Sequence, residues 1–311
     1  MAANVAPPCV ELLEWPTATP APPLRLDRLL PDGEERLRGL LPQPLETAWP
    51  TALLLLDWVT RRWKHANAHV ESQDSVEVLE RVDAGERFAC VEYSIVLSQA
   101  LNACGIPARR VNLRTADHHT GVAKGHVVSK AWIDDFNRWV LLDGQNGAWW
   151  GEPGHPLGVL ELHDRLRAGD KPPMNGIAKD LSASESSLWF RYFTSFSSTG
   201  ITWAAPPFPP VFQEDSPILT DVLVRDRTLL EPDLAGISIS LVDEGGAAAR
   251  FTSAHPHASG FAVVDAAGDL VVRGFDESFR FSGDPGGHEF SVATHTRYGR
   301  LRPSTLSFVI R

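Results

Sequence analysis

The sequence predicts an α+β chain, in which helices pack on an antiparallel sheet and a small C-terminal domain resembling a β-sandwich follows. Three observations predict it. Apolar residues recur every three or four positions in the first third of the chain, the period falls to two after Gly105 and Pro107, and short β-rich runs with Gly and Asp turns fill the region beyond Ser216. A length of 311 residues fits about two domains.

Residues 1–44 form a proline-rich segment. Ten of the 24 prolines fall in the first fifty residues, which removes helix donors and predicts extended chain with one short helix around Leu37. A first long helix is predicted over 52–69, because Leu55, Val59, Arg62, Trp63 and Ala66 recur at helical spacing. A short helix over 75–82 follows. The pattern is clearest over 90–104, where Tyr93, Leu97, Ala100 and Cys104 make a stripe that Gly105 and Pro107 stop. Strands are then predicted over 108–113, 126–133 and 139–142, the last two joined by turn-forming residues at 134–138. These elements belong to a domain spanning 45–205. Five more prolines between Pro206 and Pro217 predict a linker over 206–216, across which few contacts should pass. The C-terminal domain, 217–311, carries β-rich runs at 237–242, 260–264, 270–274, 290–293 and 307–310. No internal repeat is present.

Composition narrows the function. A net charge of −10 excludes a phosphate-backbone partner, since nucleic-acid affinity is built from clustered basic side chains. No membrane span is predicted, as the apolar stretch 52–56 is far short of the ~20 residues a bilayer needs. The first thirty residues lack a basic start followed by an apolar run, and three cysteines give no disulfide framework. A reducing cytoplasm is the expected location.

A cysteine opening a buried helix is chemically distinctive, because the helix N-terminus favours a thiolate and its N–H groups can hold a developing oxyanion. Cys90 is placed that way. His126 opens one strand and Asp143 closes the next, in WVLLDG. If the hairpin pairs Trp132 with Trp139, Asp143 faces Val128 and His126 becomes its diagonal neighbour on the same face. A one-residue slip would separate them. Cys90, His126 and Asp143 then satisfy the needs of nucleophile, base and orienter.

The runs GERFACVEYSIVLSQALNACGIPAR (85–109) and GHVVSKAWIDDFNRWVLLDG (125–144) resemble the core of the transglutaminase-like superfamily. The resemblance implies a papain-like α+β core and assigns Cys90, His126 and Asp143 to the catalytic triad of a cysteine hydrolase or acyltransferase. In that superfamily Pro often follows the triad Asp, whereas Gly144 does so here. An upstream side chain usually completes the oxyanion hole; Trp58, Trp63, Asn67 and Gln73 are the candidates, and the sequence does not choose among them.

Other residues read more plainly. Glu92 complements a helix N-terminus, and Trp149 and Trp150 read as core. His65 and His69 are four apart on a predicted helix, with His118, His119 and His163 as further ligands, yet HANAH lacks a metalloprotease's Glu, so neither metal nor cofactor is expected. The acidic Asp134, Asp135 and Glu152 are balanced by Lys124, Lys130 and Arg138, so no acidic mouth marks a lysine site. The expected substrate is therefore a peptide or protein amide that is hydrolysed rather than transferred to an amine. Two other readings compete: an arylamine N-acetyltransferase-like enzyme, disfavoured by GIPAR and by the absence of Arg-Gly-Gly before the Cys, and a non-catalytic binding module on the same fold. Oligomeric state is not legible.

Overall fold

A computed structural model describes residues 9–17, 26–117, 120, 124–177, 183–198, 211–212, 223–224, 226–243 and 247–311. The chain divides into two compact units, Met1–Ala21 with Asp233–Arg311, and Pro22–Pro232. This differs from the division the sequence suggests. The N-terminal strand β1 (Val10–Glu14) runs antiparallel to the C-terminal strand of the chain, from Val10 opposite Ile310 onward.

The central unit begins with helices α1 (Pro31–Leu40), α2 (Ala48–Thr60), α3 (Ser75–Asp83) and α4 (Cys90–Ala103). Asp74 caps α3 by accepting from the N–H groups of Val76 and Glu77. Helix α2 stops nine residues earlier than the predicted end at 69. The Trp63 ring stacks on Tyr93 at 4.1 Å, and backbone bonds from Ala66 to Phe88 and from Ala89 to Ala68 draw the chain beside the start of α4. Tertiary pairing overrides the helical pattern, so His65 and His69 lie off any helix and do not share a helical face.

Helix α4 is buried along nearly its whole length. It ends at Gly105, whose φ of +83° suits a residue without a side chain. Asn102 closes the turn into the sheet, donating to the Ala108 carbonyl and accepting from its N–H. Strands β2 (Ala108–Arg114), β3 (Gly125–Ile133), β4 (Arg138–Asp143) and β5 (Ala148–Glu152) form an antiparallel run, extended by the short β6 (His155–Pro156) and β7 (Met174–Gly176). Helices α5 (Val159–Arg167) and α6 (Ala183–Phe190) follow, then β8 (Ser195–Ser198), β9 (Val211–Phe212), β10 (Leu223–Val224) and the single turn α7 (Arg227–Leu230). Strand β8 pairs with β2, and β9 pairs with β8. Most of the predicted linker lies outside the described residues, but Val211 and Phe212 within it join this sheet. The unit is mixed helix and antiparallel sheet. Ser94 and Ser98 of α4 pin the helix to β3, donating to the Val127 carbonyl at 2.8 Å and the Ser129 hydroxyl at 2.9 Å.

The second unit contains β11 (Ile237–Asp243), β12 (Ala247–Ser253), β13 (Gly260–Asp265), β14 (Leu270–Arg273), β15 (Phe279–Arg280), β16 (Gly286–Thr296), β17 (Gly299–Arg300) and β18 (Ser304–Ile310). One sheet runs β1-β18-β16-β13-β14, with β17 on β16, and a second runs β11-β12-β15. Phe251 and Ile237 of the second sheet join Phe261, Val292 and Phe308 of the first in one apolar core.

A polar cluster buried in the central unit shows why that unit reaches Pro232. Arg109 and Lys130 face each other across β2 and β3 and are 1% and 0% exposed. Both lie over the Trp139 ring, at 5.5 and 5.3 Å. The Leu229 carbonyl accepts from Arg109 at 3.0 Å, the Leu230 carbonyl from Arg109 and Lys130, and the Pro232 carbonyl from the Trp139 indole at 2.7 Å. Lys130 is thus no surface counter-charge, as its place in the acid–base balance of the sequence supposed. Burial lowers the pKa of Arg109 to about 10 and that of Lys130 well below its usual range. Chain ends at Pro232 and at Asp215 should therefore behave differently. A chain of residues 22–232 keeps these acceptors, whereas 22–215 loses them and should be less stable in urea by about 2 kcal/mol or more. Equal stabilities would place residues 226–232 outside the folded core.

Candidate active site

Cys90, His126 and Asp143 are brought together from three elements. Cys90 is the first residue of α4 and is partly exposed. No side chain caps that helix start, so its first N–H groups stay directed at the space before the thiol. Trp132 pairs with Trp139, the expected register, and continuing the ladder sets Asp143 across from Val128. The His126 Nε2 lies 2.8 Å from the Asp143 Oδ2, with His126 4% and Asp143 0% exposed. Cys90 stands close enough to the same imidazole to act, with Asp143, in raising its pKa.

A buried carboxylate needs compensation, and Asp143 has four hydrogen-bond donors. Its Oδ1 accepts from the N–H groups of Gln145 and Asn146, both at 3.0 Å. Its Oδ2 accepts from the Asn146 amide at 2.7 Å as well as facing His126. Burial acts to raise its pKa, yet His126 and these bonds outweigh it, so the carboxyl is held below its usual range. Burial likewise disfavours the charged imidazole, but the charge and hydrogen bond of Asp143, aided by Cys90, raise His126 to about 10. The loop LDGQN carries an Asp–Gly turn signal that accounts for the Gln145 and Asn146 bonds. Gly144 has a packing reason: a Cβ there would stand 3.3 Å from the Tyr93 Cβ and carbonyl oxygen.

Glu92 is fully buried. Its Oε1 accepts from the Val70 N–H at 3.0 Å, and its carboxylate lies 3.3 Å from the His69 Nδ1, so it ties the 69–70 run to α4. The four oxyanion candidates now differ. The Trp63 indole donates to the Phe88 carbonyl at 3.2 Å and is spent there. Gln73 accepts from Arg110 at 2.7 Å and holds the α3 approach, while Trp58 carries the Arg62 guanidinium over its ring. Asn67 is exposed on the run tied to Phe88 and Ala89, next to the thiol in the chain path. Trp150 is core, packed edge-on to Phe193, and Trp149 is edge-on to Trp49. His163 is buried against the Phe193 carbonyl, and His118 and His119 lie outside the described residues. Among the described residues, no three metal-ligating side chains cluster and no helix is long and apolar enough to cross a membrane.

Two aromatic residues at this site are not marked in the sequence. The Trp189 ring lies 4.6 Å from that of His126, and the Tyr192 ring 5.9 Å from it. Their separation of more than sixty residues from His126 leaves no local signal.

Residues 42–144 match the family model of the transglutaminase-like superfamily, a stretch that contains Cys90, His126 and Asp143. No curated protein matches the chain.

Two measurements check this geometry. At about pH 6, iodoacetamide should alkylate Cys90 before the exposed Cys9 and the buried Cys104, since Cys90 stands at a helix start beside His126; equal labelling would show an unactivated thiol. The His126–Asp143 pair should also stabilise the fold over a defined pH range. His126, raised from 6.5 to about 10, contributes in full below pH 6.5 and loses that contribution as pH climbs toward 10. Asp143, lowered from 3.8, contributes above that value and loses it as pH falls further. The difference in urea midpoint between the wild type and His126→Ala should be widest near pH 5–6 and shrink toward pH 10.

Proposed function

We propose that the protein is a cysteine-nucleophile enzyme that cleaves amide or peptide bonds through a thioester acyl-enzyme, with hydrolysis favoured over transfer to an amine. The observation that carries this reading is a partly exposed thiol at an uncapped helix start, beside an imidazole that a fully buried carboxylate holds at 2.8 Å. The superfamily consists largely of cysteine enzymes, which supports it.

In this reading the Cys90 thiolate attacks the amide carbonyl carbon, forming a C–S bond and placing negative charge on oxygen. The N–H groups at the start of α4 stabilise that charge. As the C–N bond breaks, His126 gives its proton to the leaving amine, and the thioester remains on Cys90. Water then loses a proton to His126 and attacks the thioester, releasing a carboxylic acid and restoring the thiol. Asp143 keeps Nε2 engaged, which aims Nδ1 at the sulfur throughout.

Hydrolysis is favoured because, among the described residues, the acidic side chains weighed for a lysine mouth are engaged elsewhere. Glu152 is paired with Arg165, Lys124 with Asp117, and Asp135 accepts from the Trp49 N–H. The substrate is read as a peptide or protein amide met in the cytoplasm. We read the second unit, two sheets around one apolar core, as a small β-sandwich appended to the catalytic unit.

The test uses a pool of Gln-bearing peptides with a fluorescent primary amine, following ammonia, new termini and incorporated label. Product that forms without label, and that Cys90→Ala abolishes, is the expected result. Asp143→Asn should fold and lose about 10³–10⁴-fold in turnover, as loss of the orienting carboxylate does in such triads. Label incorporation with little hydrolysis would make the protein an amine transferase, and activity retained by Cys90→Ala would remove the nucleophile.

A further inference from the structure

Resting on that reading of the site, we infer that Trp189, outside the matched family segment, is a positioning residue that seals the His126–Asp143 pair from water and holds the imidazole in its working orientation. His126 is 4% exposed although it opens a strand at the rim of the sheet, where a side chain would ordinarily meet solvent. What covers it is aromatic. The Trp189 ring lies 4.6 Å away at an interplanar angle of 43°, and the Tyr192 ring 5.9 Å away at 53°. Trp189 and Tyr192 are themselves 5.7 Å apart, so the imidazole occupies one corner of a three-ring cluster.

The position of Trp189 is well anchored. It is the penultimate residue of α6, and the chain after it is fixed: the Trp189 carbonyl accepts from the Tyr192 N–H at 3.1 Å, the Phe193 carbonyl faces the His163 Nδ1 at 2.7 Å, and the Thr194 N–H donates to Arg114. Phe193 and Phe196 then enter the core beneath the sheet. A ring held this way limits rotation of the imidazole about its Cβ–Cγ bond. Its indole face also suits a cation, while its bulk keeps water from competing for the Asp143 hydrogen bond. The titratable groups facing His126 are Cys90 from α4, Asp143 from β4 and Tyr192 beyond α6, the last with the Arg191 guanidinium over its ring.

The test reads the charge beside the thiol and needs no substrate. A protonated His126 attracts an anionic reagent, so the ratio of iodoacetate to iodoacetamide alkylation at Cys90, followed against pH, reports where His126 loses its proton. In the wild type the ratio should stay high well above pH 7. In Trp189→Ala, water relieves the burial penalty but screens the Asp143 charge and competes for its hydrogen bond; the second effect, which keeps the pKa raised in the wild type, should prevail and move the fall down by about one pH unit or more. Trp189→Phe, which keeps an aromatic cover, should restore most of the wild-type profile. Thermal unfolding of each variant separates this from loss of fold. A profile unchanged in Trp189→Ala, or shifted equally in Trp189→Phe and Trp189→Ala, overturns the inference and leaves Trp189 a packing residue. Failure of the proposed chemistry would look different, because amide turnover would be absent while the alkylation profiles still differed between variants.

Discussion

A carboxylate with no exposure to water can stay ionised only if every oxygen lone pair that matters is met, and much of the central unit follows from meeting that condition at Asp143. The end of β4 turns at Gly144 so that the N–H groups of Gln145 and Asn146 point back at the carboxylate. The turn presses against α4, so a side chain at position 144 would crowd Tyr93 at 3.3 Å. The hairpin register then sets His126 on the same face, where it supplies the cation that the carboxylate needs. The two charges are mutually required. Each is penalised by burial, and each is kept charged by the other.

The chemistry we propose depends on an asymmetry between this pair and the thiol. Asp143 engages Nε2, and its charge raises the pKa of the imidazole, which in the proposed reaction favours a proton there for the leaving amine. The sulfur, by contrast, sits at a helix start where no side chain competes for the first N–H groups. One end of the site therefore holds a proton firmly, and the other presents donors to an oxyanion. That division of labour is what acyl transfer through a thioester requires.

Local pattern made most of this legible. The helix that begins at Cys90, the change of period after Gly105 and the Trp132–Trp139 register are all short-range features, and together they fix the relative faces of His126 and Asp143. Where long-range contacts decide, the sequence misleads or is silent. The helical spacing at 52–69 continues past Thr60, yet stacking of Trp63 on Tyr93 and pairing with Phe88 and Ala89 pull the chain out of the helix. The pairing of β1 with β18 joins residues some three hundred apart, which no local pattern encodes. Lys130 looked like a surface charge because its hydrogen-bond acceptor, the Leu230 carbonyl, lies a hundred residues further on.

That partner identifies the cost the fold meets on the same face of its sheet. Two basic side chains face each other across β2 and β3, and burial lowers the pKa of both. Coulomb repulsion adds to that penalty. The compensation comes from a distant part of the chain: the last turn before Pro232 turns its carbonyls onto Arg109, Lys130 and the Trp139 indole, and Glu231 brings a carboxylate that accepts from the Val159 N–H at 2.8 Å. Glu231 is held close enough to leave no room for a side chain at Gly158. A segment that reads as the far side of a linker is thus a structural member of the sheet that presents His126. Arg109 and Lys130 stand on the strand pair that carries His126, so the residues that close the unit help to hold the sheet on which the candidate site is built.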